Sequence, residues 1–447
     1  MISIADAVRR IKDDPFALID PSAVTEACAR VHLSWRNRVL TPVHTLAFFA
    51  LQILHGNTAI AHVARLAGGG FSESAYCQAR QRIPTAVFRD VLHAMTSRWL
   101  GDARASTGTW KGHRTFTADG TGCDMPETPD LQTHFGQPTV PGPGRGFPVA
   151  HVLTLFDAAS GLLLGMPVSR YATHDMTRIS QVYPHLSAGD VLVTDRGICS
   201  YVHLAQLTQR GVHAVCRAHA SRPMPYPAPA GPPEKYTYNR HRHKVPILVE
   251  TLGEHDQVVA LRKPHNRPGW MRAEDFAAVP STLVVRVLKY RVRVPGFRTR
   301  EVELMTTLRD AAAYPAADLA ALYMARWRIE VNLRSLKQTL GMTSLHCRTV
   351  EGVTKELLMF ALAYNAVRMV MLDAAKKQGV DPERISFVDA LRWMLHRSDG
   401  DPPPMLKVNP YRPGRIYARV VKRSVRFPKL LATRADWKQA WDKKHAN

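Results

Sequence analysis

Three acidic residues stand where a carboxylate could take part in catalysis. Asp119 follows a short strand-like run and precedes a Gly-Thr dipeptide, Asp195 ends the apolar run Val191–Thr194, and Glu330 lies in a strongly helical stretch. The strand ends of a mixed sheet present functional groups, so we expect the two aspartates at such ends. Three converging carboxylates would bind hard divalent cations, and two such ions can hold the attacking and leaving oxygens of a phosphoryl transfer. Each acid alone has an ordinary interpretation, as a turn residue or a solvated helical Glu.

The helix predicted around Glu330, over residues 316–340, carries further polar side chains on one face. Tyr323, Arg326, Glu330 and Lys337 stand at offsets 0, 3, 7 and 14, which at about 100° per residue span an arc of about 60°. Glu330 could bind metal there while the hydroxyl and the two cations bind phosphate. Arg334, one turn beyond Glu330, is a candidate for the same role. Surface ion pairing is the alternative, since Arg326 and Glu330 stand four apart.

The elements that must position these residues follow from hydrophobic patterns. Residues 1–100 predict helices, and short apolar runs then alternate with helical stretches, which favours a mixed α/β sheet. Prolines cluster over 221–233, strand patterns follow as far as 308, and helical patterns return over 316–340 and 353–375.

The segment 72–82 predicts a capped helix with Arg80 and Arg82 exposed, which Pro84 ends before another helix. Helix, short turn and basic helix are compatible with a DNA-reading helix-turn-helix. A plain helical bundle with a solvated charged face is an equal alternative.

The charge of the chain favours an anionic partner. Lys and Arg number 60 against 37 Asp and Glu, a formal net charge of +23, which favours nucleic acid first and a membrane surface second. The apolar stretches Thr41–Leu54 and Leu357–Leu372 are too short or interrupted, because a membrane span needs about 20 apolar residues. Without a secretory signal pattern or a Cys-x-x-Cys pair, we expect a cytoplasmic protein that does not bind membranes.

The stretch 401–447 holds twelve cations and three acids with aromatic residues among them. That composition suits contact with a phosphate backbone. A flexible solubilising tail is the alternative.

Three segments together resemble the IS4 family of bacterial DDE transposases. The pattern Tyr-x2-Arg-x3-Glu-x6-Lys from Tyr323 to Lys337 matches the helix signature of that family in residue type and spacing. Residues 119–130 resemble its first-aspartate region, and residues 194–200 resemble its second, where an aromatic residue is commoner than Ile198. The three segments occur in the family's order, and a looser resemblance extends over most of the chain.

The resemblance implies an α/β fold with an RNase H-like core, in which Asp119, Asp195 and Glu330 bind two Mg²⁺ ions, with Mn²⁺ as a substitute. It implies a transposase that cuts double-stranded DNA at the transposon's terminal inverted repeats and joins the freed 3′-OH to target DNA. Both ends must be held together, so we expect a homodimer on DNA, associated with the bacterial nucleoid. Some members pass through a DNA hairpin, helped by a tryptophan of the insertion that stabilises a flipped base. Trp270 is the candidate, with a core or loop aromatic as the alternative.

The resemblance and the patterns together divide the chain into five parts. They are a helical DNA-binding domain (1–105), the first part of the core (110–220), a β-rich insertion with the final core strand near its end (221–308), the second part of the core (309–375) and a basic, helical C-terminal region (376–447).

A catalytically silent DNA-binding regulator is one alternative function, which the intact acids and signature argue against. A metal-dependent nuclease without joining activity is the other, because the same three acids serve cutting and joining. Tyr323 could also be a nucleophile, although the triad makes that role unnecessary.

Overall fold

The structure is a computed structural model that describes residues 19–67, 70–103, 109–138, 146–219, 224–228, 230, 246–292, 301–396, 405–410 and 434–444. Most of the predicted phosphate-contacting stretch 401–447 therefore lies outside the described residues, as does the proline cluster apart from residues 224–228 and 230.

Among the described residues, five helices precede the first strand. They are α1 (Pro21–Arg30), α2 (Pro42–Leu54), α3 (Ile60–Leu66), α4 (Glu73–Arg82) and α5 (Thr85–Ala103). Side chains of Asp20, Thr41 and Ser72 cap α1, α2 and α4 by accepting hydrogen bonds from backbone N–H groups of the first turn. Helix α2 is apolar on nearly all sides and buried along most of its length, as an all-round hydrophobic helix must be.

The strands form one mixed sheet in the order β3-β2-β1-β5-β6-β10-β9-β8-β7, with β4 also paired to β2. Their bounds are β1 Thr115–Asp124, β2 Val149–Asp157, β3 Leu163–Gly165, β4 Val168–Arg170, β5 Val191–Thr194, β6 His213–Arg217, β7 Ile247–Gly253, β8 Asp256–Arg262, β9 Thr282–Arg291 and β10 Glu301–Thr306. Strands β1, β5 and β6 run parallel, whereas β2 and β10 pair antiparallel to their neighbours. The mixed α/β sheet predicted from the sequence is confirmed.

Helices cover both faces of the parallel strands. The helices after β1 are α6 Pro129–Phe135, α7 Asp175–Arg178, α8 Tyr201–Gln209, α9 Ala273–Ala278, α10 Ala316–Ala325, α11 Arg328–Arg334, α12 Val350–Gln378, α13 Phe387–His396 and α14 Arg434–Lys444. Leu192 of β5 shares a core with Leu204 of α8, while Val191 and Val193 share another with Leu319 of α10. Strand β5 is thus buried on both sides, which explains its uninterrupted apolar sequence.

Helix α12 is long and apolar enough to cross a membrane by length and composition, but 83% of its most apolar window is buried inside the protein. Its polar residues are used in packing. The Asn365 amide donates to the carbonyl of Leu163 and accepts from its N–H, and Arg368 donates to the carbonyl of Ser160. These contacts hold β3 against the middle of α12, as expected of a core helix.

The prediction of a single helix over residues 316–340 is wrong. Helix α10 ends at Ala325, α11 begins at Arg328, and a π-helical turn follows over Ser335–Thr339. At the break the Trp327 N–H donates to the Met324 carbonyl at 3.2 Å, a bond of the tighter 3₁₀ type. No Gly or Pro marks this place, so the periodicity gave no sign of it.

The prediction that Arg80 is exposed is also wrong. Its side chain lies in the core with 8% of its surface exposed. The guanidinium donates to Gln52 and to the Cys347 sulfur, each at 3.1 Å, and lies 3.6 Å from the ring centroid of Phe49. Residues distant in sequence cover the last turn of α4, so a DNA-reading role for Arg80 is not available. Arg82 is exposed, as predicted.

We expect Arg80→Met to lower the thermal midpoint of unfolding by several degrees and Arg82→Met to leave it nearly unchanged. Removing the buried guanidinium takes away one of the two donors to the Gln52 carbonyl oxygen and the bond to Cys347, and costs about 1–3 kcal/mol. Within the described residues, the hydrogen bond of the exposed Arg82 side chain goes to Gln78 of its own helix. Differential scanning calorimetry of the two variants measures the difference. Equal midpoints would show that Arg80 does not stabilise the fold.

Candidate active site

Strand lengths place Asp119 and Asp195 next to each other. In the pairing between β5 and β1, strand β5 reaches only Thr115–Thr117 of β1. Strand β1 therefore continues past the end of β5. Asp119 lies just beyond that end, and Asp195 directly follows Thr194, the last residue of β5. The sequence predicted Asp119 at the end of its strand. Asp119 lies inside β1 instead, because β1 continues to Asp124 in its pairing with β2.

Both aspartates are oriented by the backbone that follows them. The N–H of Gly120 donates to Oδ1 of Asp119 at 2.9 Å, and the N–H of Gly197 donates to Oδ1 of Asp195 at 2.8 Å. One oxygen of each carboxylate is thereby held.

The electrostatic surroundings of Asp119 oppose its negative charge. The pKa of Asp119 is raised to about 6, mainly by burial and also by the nearby carboxylates of Asp195 and Asp175. Arg326 and the Gly120 N–H act in the opposite direction. The site therefore holds more negative charge than one guanidinium neutralises, a condition that a bound cation would relieve.

Arg326 lies beside Asp119, and Tyr323 lies beside Arg326. Nη1 of Arg326 stands 3.8 Å from Oδ2 of Asp119, and its guanidinium carbon is 5.6 Å from the Tyr323 ring centroid. Within the described residues, the buried Nε of Arg326 has no hydrogen-bond partner. Burial raises the pKa of the Tyr323 hydroxyl, which keeps it protonated and makes it a poor nucleophile.

Lys337 connects the end of the signature to the strand that carries Asp119. Its Nζ donates to the Thr121 hydroxyl and to the Gly122 carbonyl, both at 3.0 Å. The π-helical turn carries Lys337 to this position. The side chain thus fixes the signature segment to β1.

Glu330 and Arg334 lie on α11. Glu330 is half-buried in the first turn and Arg334 is exposed in the last. Across the part of the chain that the structure describes, no three Asp, Glu, His or Cys side chains are arranged to hold a metal ion. The geometry therefore brings the two aspartates together without assembling the predicted group of three acids.

A further acid, Asp175, lies at this site and was not singled out from the sequence. Its Oδ1 would lie 2.3 Å from a Cβ added at Gly120, so only glycine leaves room there. Oδ1 also stands 3.2 Å from Nε2 of His151 on β2. An acid at the start of a short helix is ordinary, and the one available signal was the glycine directly after Asp119.

Trp270 takes part in packing. Its ring is half-buried and stacks on His203 with centroids 4.8 Å apart and planes 6° from parallel. Burial lowers the pKa of His203 to about 4, so the imidazole is neutral at physiological pH. This arrangement corresponds to the packing alternative for Trp270.

We expect Asp119→Asn to raise the thermal midpoint above pH 6 and to have little effect below about pH 4. The folded-state pKa of about 6 exceeds the usual value of 3.8, so the favourable contribution of the neutral acid is present at low pH and is lost as pH rises through 6. Asparagine keeps the neutral form at every pH. Thermal unfolding in a chelating buffer from pH 3.5 to 8 tests this, and a difference that is independent of pH would contradict it.

Comparison with known proteins places this site in a family. Residues 110–366 match the model of the transposase DDE domain, a range that contains all three predicted acids. The chain is 24% identical over 375 residues to the transposase InsG for insertion sequence element IS4 of Escherichia coli K12, covering 82% of this chain and 77% of the relative. It is 33% identical over 117 residues to a Geobacillus stearothermophilus protein named as a transposase for IS5377, covering 26% and 30% of the two chains. A cryo-EM structure of a piggyBac transposase synaptic complex with hairpin DNA aligns with a TM-score of 0.41 and 9% identity, covering 88% of this chain and 80% of that one. The match to the transposase DDE domain covers more than half of this chain, and the chain therefore belongs to the IS4 family of DDE transposases.

Proposed function

We propose that this transposase cuts DNA at the ends of its element in a metal-dependent reaction and joins the freed 3′-OH to target DNA. The observation that carries the proposal is the meeting of Asp119 and Asp195 beyond the end of β5, with Arg326 at 3.8 Å from Asp119. Hydrolysis and strand transfer both need an anionic phosphate held beside carboxylates and a cationic side chain.

The sheet supports an RNase H-like core. The strands β3-β2-β1-β5-β6 are consecutive in the sheet, with β2 antiparallel to the parallel set β1, β5 and β6. Strands β7 to β9 extend the sheet beyond β10, which supports an insertion whose last strand returns to the core. We retain the five-part division proposed from the sequence on this basis.

The donor chemistry of the site fits a divalent cation. The site holds two carboxylates of like charge that repel each other, and the pKa of Asp119 is raised to about 6. Carboxylate oxygens are the ligands that Mg²⁺ prefers. Asp119 and Asp195 would hold the ion, with Glu330 as the further ligand, and two Mg²⁺ ions or Mn²⁺ in their place would suit the family's chemistry. When bound, the ions would neutralise charge on the attacking and leaving oxygens.

The side chains around the carboxylates have separate tasks. Arg326 would bind a non-bridging phosphate oxygen through its guanidinium, which already faces Asp119. Lys337 holds β1 in place through Thr121 and Gly122. The protonated hydroxyl of Tyr323 can donate a hydrogen bond to phosphate. Water attacks in the first step and the DNA 3′-OH in the second, so no covalent protein intermediate is needed.

The partners that we propose are transposon-end and target DNA, held by a homodimer in the bacterial cytoplasm. Arg82 and Arg334 are exposed and available to phosphates. A dimer would hold both element ends in one complex, as joining requires.

We expect Glu330→Gln to reduce cleavage of a linear DNA carrying the element's terminal repeats by about a thousand-fold or more, with DNA binding retained. Arg328→Gln is the matched control, because Arg328 lies on the same helix but pairs with Asp381 at the surface. Cleavage and joining are measured with Mg²⁺ and a target plasmid, and binding by gel shift. Wild-type cleavage by the Glu330 variant would remove Glu330 from the site.

The same assay separates the other functions. Binding by the wild type without nicking or joining would identify a regulator, and nicking without joining would identify a nuclease. Either result would overturn the proposal.

We expect DNA affinity to fall steeply with salt. Neutralising about six phosphates would weaken binding about a thousand-fold between 50 and 200 mM salt, because bound counterions are released. Arg82→Gln should make the logarithmic slope shallower by about one if Arg82 contacts a phosphate. Fluorescence anisotropy over a salt series measures both slopes, and a salt-independent affinity would contradict phosphate-dominated binding.

A further inference from the structure

Asp175 approaches the reactive end of the sheet from the face opposite to the Asp119 side chain. Ala118 of β1 packs in the core that includes α8, so by the two-residue alternation of a strand Gly120 faces that side and Asp119 faces the other. Oδ1 of Asp175 would lie 2.3 Å from a Cβ added at Gly120. The carboxylate of Asp175 therefore fills the space that the glycine leaves behind Asp119.

The carboxylate of Asp175 lies within electrostatic range of both other aspartates. The pKa of Asp175 is raised mainly by burial and also by the charge of Asp195. His151 and His174 act in the opposite direction. Asp175 in turn contributes to the raised pKa of Asp119. Across the described part of the chain no three Asp, Glu, His or Cys side chains are arranged to share a metal ion, so we assign Asp175 a role apart from metal binding.

The carboxylate of Asp175 is held less firmly than its two neighbours. Asp119 and Asp195 each accept a hydrogen bond from a backbone N–H, whereas among the described residues the buried Oδ1 of Asp175 accepts none. Nε2 of His151 stands 3.2 Å from that oxygen without the geometry of a hydrogen bond. A carboxylate oxygen without a donor is costly to bury, and 26% of the Asp175 side chain remains exposed. A water molecule can therefore reach this carboxylate and supply the missing donor.

We infer that Asp175 accepts a hydrogen bond from the water that attacks the phosphate in the cleavage step and so orients that water. In this step the water oxygen forms a bond to phosphorus, and the bond from phosphorus to the 3′ oxygen breaks. One proton of the water ends on the leaving 3′ oxygen, and the other goes to solvent. The inference rests on the proposed function, because it takes the end of β5 as the place where the phosphate is cut.

This role is specific to water as the nucleophile. A water molecule is free to turn in the site, and a group that fixes its direction removes part of the entropic cost of reaching the geometry of attack. In joining, the attacking 3′-OH is held by its own DNA strand and needs no further group to orient it. Asp175 should therefore matter for cutting and much less for joining.

The test compares two DNA duplexes in the presence of Mg²⁺, one with an uncut element end and one with a pre-cut end that presents its 3′-OH. We expect Asp175→Asn, which keeps the shape of the side chain, to slow nicking of the uncut end about ten- to a hundred-fold. Joining of the pre-cut end to a target plasmid should stay within about two-fold of wild type. Asp318→Asn is the matched control, because Asp318 lies in the first turn of α10 and pairs with Lys111 away from the site, and both of its rates should equal those of wild type.

The failure of the inference and that of the proposed function give different results. A wild type that neither nicks nor joins would count against the function and the inference together. A wild type that does both, with unchanged nicking in Asp175→Asn or an equal loss of nicking and joining, would overturn the inference alone. Calorimetry should give the variant a thermal midpoint no lower than that of wild type, because asparagine removes a charge that burial opposes. A variant that unfolds would show that Asp175 is structural and would also overturn the inference.

Discussion

The repulsion between carboxylates at the end of β5 is the constraint around which this site is built. Asp119 and Asp195 are placed together by the unequal lengths of β1 and β5, and burial weakens the hydration that would otherwise stabilise two negative charges. Burial first, and the neighbouring carboxylates after it, raise the pKa of Asp119. Asp175 adds to it by lying against Gly120. Such an arrangement is stable only if cationic groups approach from elsewhere in the fold.

The broken signature helix supplies those cations. Arg326 stands at the break between α10 and α11 and reaches Asp119, while Lys337 stands on the π-helical turn and reaches the Thr121–Gly122 segment. Both residues approach the same strand from positions eleven residues apart in the sequence. Irregular helical turns are frequent at functional sites because they re-aim side chains. The departures from a regular helix therefore coincide with the residues that contact β1.

The sequence predicted what depends on local patterns and missed what depends on distant contacts. The apolar run Val191–Thr194 is strand β5, and Asp195 follows it as expected. The short apolar runs that predicted a mixed sheet include Val149–Phe156, which lies in β2 and pairs with β3 and β4. The burial of Arg80 could not be predicted, because it depends on Gln52 and Cys347, which are far away in the chain. Asp175 was missed for the same reason.

The formal charge of +23 overstates the positive charge that is free to meet DNA. Arg80 is used in the core, Lys337 is bonded to β1, and Arg326 faces Asp119. Among the described residues, exposed cations such as Arg82 and Arg334 are the ones positioned at the surface. Counting cations therefore predicts an anionic partner but not where it binds. Which cations the fold leaves exposed limits where an anionic partner can bind, and Arg328 and Arg334 of α11 are among them.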